Sequence, residues 1–535
     1  MRSARLWISL LPAVAALLVW LSPLSFVPVP WPDDSAFYFV AKSLFAWPPR
    51  WVMLPQAPFE PTYREFNFNT MPLYPLLIGL GRLVGIDGSF LLKLWPLGAW
   101  AASGSLLVFV LLRRGLSPLW ALALAAAFAF DPEMRWGAVI VRPESLIGLF
   151  GTAAILASLF GVPERLRERK LWGTVVWDPV AACLALAAYS HFNAIHLVAP
   201  VAVALLPDPR RLFRVGSLTL LYLSPWLVVV LSKLPLFLHQ MELQWARLAV
   251  GNDWLQSTEK AVNSLFQGMG SPEGWSDEIR YASMALWLAI FGAACLIFAI
   301  PILRVARRQS FRSQDWPLLA GAAWVIAAAA LWDRKPEVWF VYYIHLALWG
   351  FVGILLLHLS RLRVRWPLGS LGAATAAIAL LFLQLDVRQA LQLAEDRSWR
   401  WGSYHSFVDC VDERLKEIEA KKGRPLEVWC PTFPDITIEL SRRHPGWDLT
   451  RTNDFHARVP LALEHGSKVD AVVVTEIWGD RERIFAGEAS KHPEARSVWM
   501  TWKDYFLHQF MDKPGWMPVR HVCNVRRWQA YLFSR

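Results

Sequence analysis

The sequence predicts an all-α polytopic membrane domain of about 11 transmembrane helices, followed by a C-terminal extracytoplasmic α/β domain. Apolar residues make up 55% of the 535-residue chain and charged residues 18%, against about 25% charged residues in soluble proteins. The apolar residues form long blocks, many of the roughly 20 residues that cross a bilayer. Short arginine clusters separate these blocks, and the last 150 residues are more polar. This pattern excludes an ordinary soluble enzyme, a disordered chain and a coiled coil.

Eleven apolar blocks are candidate spans. They cover residues 6–29, 89–112, 116–132, 138–161, 172–190, 192–207, 213–232, 281–303, 316–332, 337–359 and 366–385. The first block follows Arg2 and Arg5, as in a signal peptide, but no small-residue cleavage site precedes Pro28. We therefore expect an uncleaved anchor.

The orientation follows from the basic loops once residues 70–86 are treated as an interfacial helix. That stretch is short, has two prolines near its start and contains Arg82, which favours a position at the membrane surface. Every basic cluster then lies on one side, which the positive-inside rule makes cytoplasmic. The clusters are Arg113/Arg114, Arg165/Arg167/Arg169/Lys170, Arg210/Arg211/Arg214, Arg304/Arg307/Arg308/Arg312 and Arg361/Arg363/Arg365. The net charge of +11 is thus explained without a nucleic-acid partner.

Two domains are predicted, a membrane domain over 1–385 and an extracytoplasmic domain over 386–535. The membrane domain includes a long first outer loop, 30–88, and a second outer segment, 233–280, which could lie as an amphipathic surface helix. In the C-terminal domain, a helical run, two strand-like runs and the run at the end of the chain predict an α/β fold. They are residues 403–421, LEVWC (426–430), DAVVVT (470–475) and RRWQAYLF (526–533). The domain holds three cysteines, Cys410, Cys430 and Cys523, enough for one disulfide and one remaining thiol.

The first chemical signal is a pair of carboxylates, Asp33 and Asp34, where the chain leaves the first span. Apolar surroundings raise the pKa of a carboxyl group and strengthen its electrostatic interactions, so either residue could act as a general base. Aspartate is also favoured at helix N-termini, so a solvated N-cap is the alternative interpretation.

The second signal is the segment FDPEMRWGAVIVRPESLIGLF, residues 130–150. Its first part predicts a polar outer turn, whereas Arg142 and Glu144 fall within a span, where ionisable groups are functional candidates. Pro143, between them, disturbs helical hydrogen bonding, so the chain could dip into a cavity there. A structural ion pair that ties helices together is the alternative.

Weaker candidates lie at two other predicted outer turns. His191 and His196 are five residues apart, which does not match a helical metal pair, and structural roles are an alternative for both. Arg334 and Lys335 precede Tyr342 at an outer mouth, where cations suit a phosphate group or anchor the helix at the interface. The sequence has no P-loop, GxGxxG, HExxH or Gly-x-Ser-x-Gly motif, so nothing points to nucleotide hydrolysis.

The order of these features resembles the glycosyltransferase C superfamily of polytopic enzymes, in particular the bacterial branch related to protein O-mannosyltransferases and the lipid A aminoarabinose transferase. The resemblance covers residues 1–385. It is carried by Asp33–Asp34 after the first span, by the MPLYPLL helix (71–77) and by Arg142-Pro143-Glu144.

The resemblance implies an inverting transfer of a sugar from a polyprenyl-phosphate donor to an acceptor on the outer face. Asp33 would be the general base, with Asp34 beside it and Glu144 as the second acidic residue. Arg142, Arg334 and Lys335, with Tyr342 and His191, would bind the donor and its phosphate. Some relatives bind a metal through an acidic residue before the proline-rich helix. Asn69 and Thr70 occupy that place here, so we predict no metal ligands, and no cofactor is indicated.

The expected partners are the polyprenyl-phosphate sugar, membrane lipids and an acceptor that is a lipid, a glycan or a protein. The expected location is a bacterial inner membrane, with a cytoplasmic N-terminus. Two other classes stay open, a lipid-linked sugar transporter or flippase and a non-catalytic envelope assembly protein. Transporters often show inverted repeats, and the sequence shows no repeat. A transporter should also tolerate Asn at position 33 better than an enzyme that depends on a base.

Overall fold

The fold is known from a computed structural model of the chain. It describes residues 2–26, 32–52, 65–164, 169–171, 174–248, 291–299, 315–334, 341–362, 365–395, 397, 400–430, 435–450, 469–477, 517–526 and 528–534. The side chains of a few residues at the edges of these ranges, Asp33 and Arg334 among them, lie outside the description.

Most of the described chain is helical. The helices are α1 (Arg2–Leu21), α2 (Pro32–Leu44), α3 (Leu73–Leu83), α4 (Ser89–Leu92), α5 (Leu94–Arg113), α6 (Pro118–Ala129), α7 (Pro132–Val139), α8 (Glu144–Phe160), α9 (Pro179–Ser190), α10 (Val198–Leu205), α11 (Pro209–Ser232), α12 (Leu234–Leu248), α13 (Trp316–Arg334), α14 (Val341–Leu362), α15 (Arg365–Glu395), α16 (Trp401–Lys422) and α17 (Thr437–Arg443). Two 3₁₀ segments, Pro23–Phe26 and Phe192–Leu197, join them.

Within the described residues, five helices are long and apolar enough to cross a membrane. They are Ala4–Leu21, Ser89–Arg113, Pro209–Ser232, Tyr342–Leu362 and Pro367–Glu395. The bent pair α7 and α8 would make a sixth span. Helices of this length and composition, several of them in one chain, make this a membrane protein.

Several predicted spans differ from the observed helices. The 138–161 block is not one straight helix, because α7 and α8 meet at 119°. The 172–190 block is helical only from Pro179, since Thr174–Trp177 forms a strand that pairs with Arg169–Leu171. The 366–385 block continues as a helix to Glu395, ten residues past the predicted domain boundary. Helix α3 has only 11 residues, about 16 Å at 1.5 Å per residue, too short to cross a bilayer.

The C-terminal region forms the predicted mixture of helix and sheet. Strands β3 to β7 lie in the order β4-β3-β5-β7-β6 and are Glu427–Trp429, Asp448–Thr450, Ala471–Ile477, Met517–Val525 and Trp528–Ser534. Strands β1 (Arg169–Leu171) and β2 (Thr174–Trp177) pair with each other in a separate antiparallel sheet. β3 pairs in parallel with β4 and β5, and β7 is antiparallel to β5 and β6. A disulfide between Cys410 of α16 and Cys523 of β6 joins helix to sheet, and Cys430 is a buried free thiol.

The C-terminal domain packs directly on Phe26 and on helices α2 and α3. Phe26, at the end of the 3₁₀ segment Pro23–Phe26, contacts Trp401 and Trp528 edge-to-face, with ring centroids 4.9 and 5.5 Å apart. One apolar core contains buried side chains of α2, α3 and α8 together with those of α16 and the sheet. The domain is therefore built onto the same end of the membrane helices as α2.

Candidate functional site

A break in the chain between α7 and α8 forms the centre of the candidate site. Pro143 disfavours helical geometry in the residue before it, so the helix cannot run on through residues 140–143. The freed amide of Val141 donates to Asp34 Oδ1 at 3.0 Å. Asp34 is only 1% exposed, so it is buried and not the solvated cap of the alternative interpretation. The contact joins α2 to the segment that carries Arg142.

Arg142 and Glu144 form a buried ion pair across Pro143. The Nε and one terminal nitrogen of Arg142 both donate to Glu144 Oε1, at 3.1 and 3.0 Å. The other carboxylate oxygen, Oε2, has no hydrogen-bond partner among the described residues. A buried carboxylate oxygen left open in this way is an acceptor that a ligand hydroxyl can fill. The pair is thus both a structural contact and a candidate binding element.

Tyr74, from the MPLYPLL motif, lies within electrostatic range of Asp34, Glu144 and Arg142. Its side chain is fully buried. Burial, with the two nearby carboxylates, raises the pKa of the Tyr74 phenol well above its ordinary value, so the phenol stays protonated. Its hydroxyl has no partner within the described part of the chain, which leaves a neutral hydrogen-bond donor beside two carboxylates.

Helix α14 brings two more tyrosines to the break. A Cβ placed on Gly148 would lie 2.9 Å from the Tyr342 hydroxyl, and one on Gly137 would lie 3.1 Å from Tyr342 Cβ. Tyr342 therefore sits between a glycine of α7 and a glycine of α8. Tyr343 interacts electrostatically with Glu144 and Arg142. Tyr342, which was predicted to bind the sugar donor, therefore lies next to the break between α7 and α8.

The two histidines lie at the junction between α9 and α10, where the sequence predicted a turn. His191 is the N-cap of the 3₁₀ segment, where its Nδ1 accepts from the amide of Asn193 at 3.2 Å. His196 is buried, with its ring 4.9 Å from the Tyr343 ring. His196 thus contacts the residues around the break through Tyr343, whereas the prediction gave the sugar-donor-binding role to His191.

Three predicted residues lie partly or wholly outside the described structure. Asp33 is the second residue of α2, next to Asp34, and its side chain lies outside the described residues. Arg334 ends α13, again without a described side chain, and Lys335 is not described. The roles assigned to these three residues stay predictions.

Lys93 is a buried residue near the site that was not predicted from the sequence. Its Nζ donates to the Ser25 carbonyl at 2.6 Å and lies 5.2 Å from the centre of the Trp401 ring. It also interacts electrostatically with Asp34. The signal was present, because Lys93 is a single ionisable residue inside an apolar block, and such residues mark functional positions.

The turn around Asp131 was predicted as a polar outer turn but is buried. Asp131 Oδ1 caps α7 by accepting from two amides, and Oδ2 accepts from His345 Nδ1 at 2.8 Å and Trp349 Nε1 at 2.7 Å. Arg135 pairs with Asp386 of α15 at 3.1 Å. These contacts with α14 and α15 replace water, which is why the turn is inside.

The search for similar proteins found no matching family model, no matching curated protein and no matching solved structure.

Proposed function

We propose that this protein is an integral membrane glycosyltransferase, a hexosyl- or pentosyltransferase of the glycosyltransferase C type. It would transfer a sugar from a polyprenyl-phosphate donor to an acceptor on the extracytoplasmic face. One observation carries the proposal: Asp34 and Glu144, buried carboxylates from distant parts of the chain, meet at one helix break with Arg142 and Tyr74. Perturbed and partnered ionisable groups of this kind cluster at functional sites.

The proposed reaction is a single displacement at the anomeric carbon. The Asp33 carboxylate accepts the proton of the acceptor hydroxyl, whose oxygen attacks C1 of the sugar. The bond between C1 and the phosphate oxygen breaks, and its electron pair leaves with the polyprenyl phosphate, which gains one negative charge. Attack opposite the leaving group inverts the anomeric configuration. Asp34 would hold α2, and with it Asp33, against residues 140–143.

The phosphate needs cations where its charge develops. Arg142, Arg334 and Lys335 are the candidates for this role, and Tyr74 and Tyr342 could donate to oxygen atoms of the sugar or phosphate. An amphiphilic donor remains in the bilayer, so its enzyme must present such groups beside apolar helices. The membrane helices around α7 and α8 meet that requirement.

The site is proposed to face the extracytoplasmic side of a bacterial inner membrane, with about eleven spans and a cytoplasmic N-terminus. Disulfides form in oxidising compartments, and the Cys410–Cys523 disulfide supports an extracytoplasmic C-terminal domain. That domain contacts the loop after α3 and the end of α2. The site and the domain therefore lie at the same end of the helices.

A lipid-linked sugar transporter or flippase is the second candidate. It is favoured by the 119° break between α7 and α8, because transporters place binding sites at broken helices. The two classes differ in whether a covalent bond changes.

The deciding experiment is sugar transfer from a panel of short-chain polyprenyl-phosphate sugars to envelope fractions. Wild type would be compared with Asp33→Asn, Asp34→Asn and the matched control Asp409→Asn, an exposed carboxylate of the C-terminal domain. We expect transfer with wild type and the control, and none with Asp33→Asn. Loss only with Asp34→Asn would move the base to Asp34. No transfer by folded wild type with any donor would favour the transporter.

A further inference from the structure

The short helix α17 of the C-terminal domain contacts the membrane domain through two buried side chains. Glu439 is 2% exposed, and its Oε1 accepts from the backbone amide of Ser89 at 2.8 Å. Two residues on, Ser441 Oγ accepts from Lys42 Nζ at 2.7 Å. Lys42 belongs to α2 and Ser89 begins α4. One short helix of the C-terminal domain thus contacts both α2 and α4.

The chain is closely packed at the contact with Ser89. Gly88 has φ = +93°, which favours glycine, and a Cβ there would lie 2.6 Å from a terminal nitrogen of Arg442. Arg442 pairs with Glu439 at 2.8 Å and with Asp87 at 3.6 Å. Glu439 is therefore held from both sides, by Ser89 and by Arg442.

A second set of contacts connects α17 to the buried face of α2. Asp87 also pairs with Arg82 at 3.6 Å, and the Arg82 guanidinium stacks 4.8 Å from the centre of the Tyr38 ring. Tyr38 is fully buried, in the middle of α2. Burial raises the pKa of its phenol, so Tyr38 stays neutral and the arginine packs against an aromatic face.

These contacts fix the far end of the helix that carries the candidate base. Asp34 and Lys42 are eight residues apart, about 12 Å along a helix. The Asp34 end is held by Val141 and the Lys42 end by Ser441. The same α17 contact holds Ser89, four residues before Lys93. Asp34 lies on α2 and Lys93 directly follows α4, the two elements that α17 contacts.

We propose that the C-terminal domain is a positioning part of the candidate active site, and that Glu439 and Ser441 fix α2 and the start of α4 in register with the break at 140–143. The proposal rests on the proposed glycosyl transfer for its catalytic consequence, but the positioning itself can be measured without activity. Glu439 acts on α4 through Ser89, and on α2 only through the chain of contacts from Arg442 to Asp87 and Arg82. It does not touch the reacting atoms. A misplacement of about 1 Å in an active site can cost roughly 100-fold in rate.

The test uses the full-length protein in detergent or nanodiscs with Glu439→Ala, Glu439→Gln and the control Glu417→Ala. Glu417 lies on α16 in an exposed pair with Arg414, away from the membrane domain's contact with α17. Glu439→Ala removes the acceptor for Ser89, whereas Gln keeps an oxygen there and loses only charge. Hydrogen–deuterium exchange of residues 32–44 and 87–93 is the first readout, and kcat and donor KM are the second.

We expect Glu439→Ala to exchange at least about tenfold faster in both segments and to lower kcat about 10- to 100-fold, with donor KM unchanged. Glu439→Gln keeps the acceptor oxygen, so its exchange rates and kcat should stay close to those of the wild type. Lys42→Met should reproduce the faster exchange in 32–44 alone. Exchange and kcat equal to those of Glu417→Ala would overturn the proposal. If folded wild type transfers no sugar, the glycosyl transfer fails, while the exchange measurement still decides whether α17 positions α2.

Discussion

At the scale of single residues, the Arg142–Glu144 pair combines a structural and a functional interpretation. Removing one partner from a buried pair leaves an uncompensated charge, which typically costs about 3–5 kcal/mol. We predict that Arg142→Met lowers the free energy of unfolding by about that amount and abolishes transfer. The measurement is unfolding of the purified protein in detergent together with the transfer assay.

The double variant Arg142→Met/Glu144→Gln separates the two roles. It removes both charges, so we expect most of the stability to return while transfer stays absent. Arg414→Met, in an exposed pair, is the control and should cost about 1 kcal/mol or less. If the double variant recovered transfer as well as stability, the Arg142–Glu144 pair would have only a structural role at the break between α7 and α8.

Tyr74 offers a test in which stability and activity should move apart. Its buried hydroxyl has no partner among the described residues, and removing an unsatisfied polar group is neutral or stabilising. We predict that Tyr74→Phe keeps or raises the thermal unfolding temperature while transfer falls at least about tenfold. Unchanged transfer would remove Tyr74 from the candidate site.

At the scale of elements, the junction of α7, α8 and α14 depends on close approach at Gly148. A Cβ at that position would lie 2.9 Å from both the Tyr342 hydroxyl and Leu346 Cδ2. We predict that Gly148→Ala displaces Tyr342, costs about 1–3 kcal/mol of stability and reduces transfer. Unfolding in detergent and the transfer assay measure the two effects.

Gly98→Ala is the matched control for that substitution. Gly98 lies in α5, and a Cβ there meets nothing within 4 Å. Alanine is a better helix former than glycine by up to about 1 kcal/mol, so this variant should be as stable as wild type or slightly more so. If Gly148→Ala behaved like Gly98→Ala, the tight contact with Tyr342 would not matter for the site.

The elements that sequence predicted well are those whose pattern is local. The helical run 403–421 and the strand-like run 470–475 became α16 and β5 within a few residues, because periodicity and β-branched composition act over short distances. The apolar block 138–161 was found, and Pro143 indicated an interruption within it. The 119° angle between α7 and α8 was not predicted, since it involves a contact with Asp34, about 100 residues away.

The candidate site was partly predictable for the same reason. Carboxylates beside a span and an arginine within one are visible in the sequence, so Asp34, Arg142 and Glu144 were found. Asp131 was expected at an outer turn, because its partners His345 and Trp349 lie more than 200 residues away. Lys93 was missed because one lysine did not interrupt its apolar block.

At the scale of the whole molecule, the arginine loops and the disulfide point to the same orientation. The basic clusters between apolar blocks lie on one side if the N-terminus is cytoplasmic and the proposed eleven spans are present, and that orientation would place the C-terminal domain outside. The Cys410–Cys523 disulfide forms readily only on that side. Because α17 docks the domain onto α2, the orientation of the domain also determines which face of the membrane the site serves.

Reporter fusions test this orientation directly. We predict that alkaline phosphatase fused after Arg535 is active and that green fluorescent protein at the same position is dark, since the first folds outside and the second inside. Fusions after Arg363, in a predicted cytoplasmic loop, should give the opposite pair of results. The Cys410–Cys523 disulfide can be tested separately, because the Cys410→Ser variant should lose the mobility shift that reduction causes in the wild type on a denaturing gel. Fluorescence of the fusion after Arg535 would contradict the proposed orientation. The candidate site would then lie on the cytoplasmic face, which a sugar donor on the extracytoplasmic face could not reach.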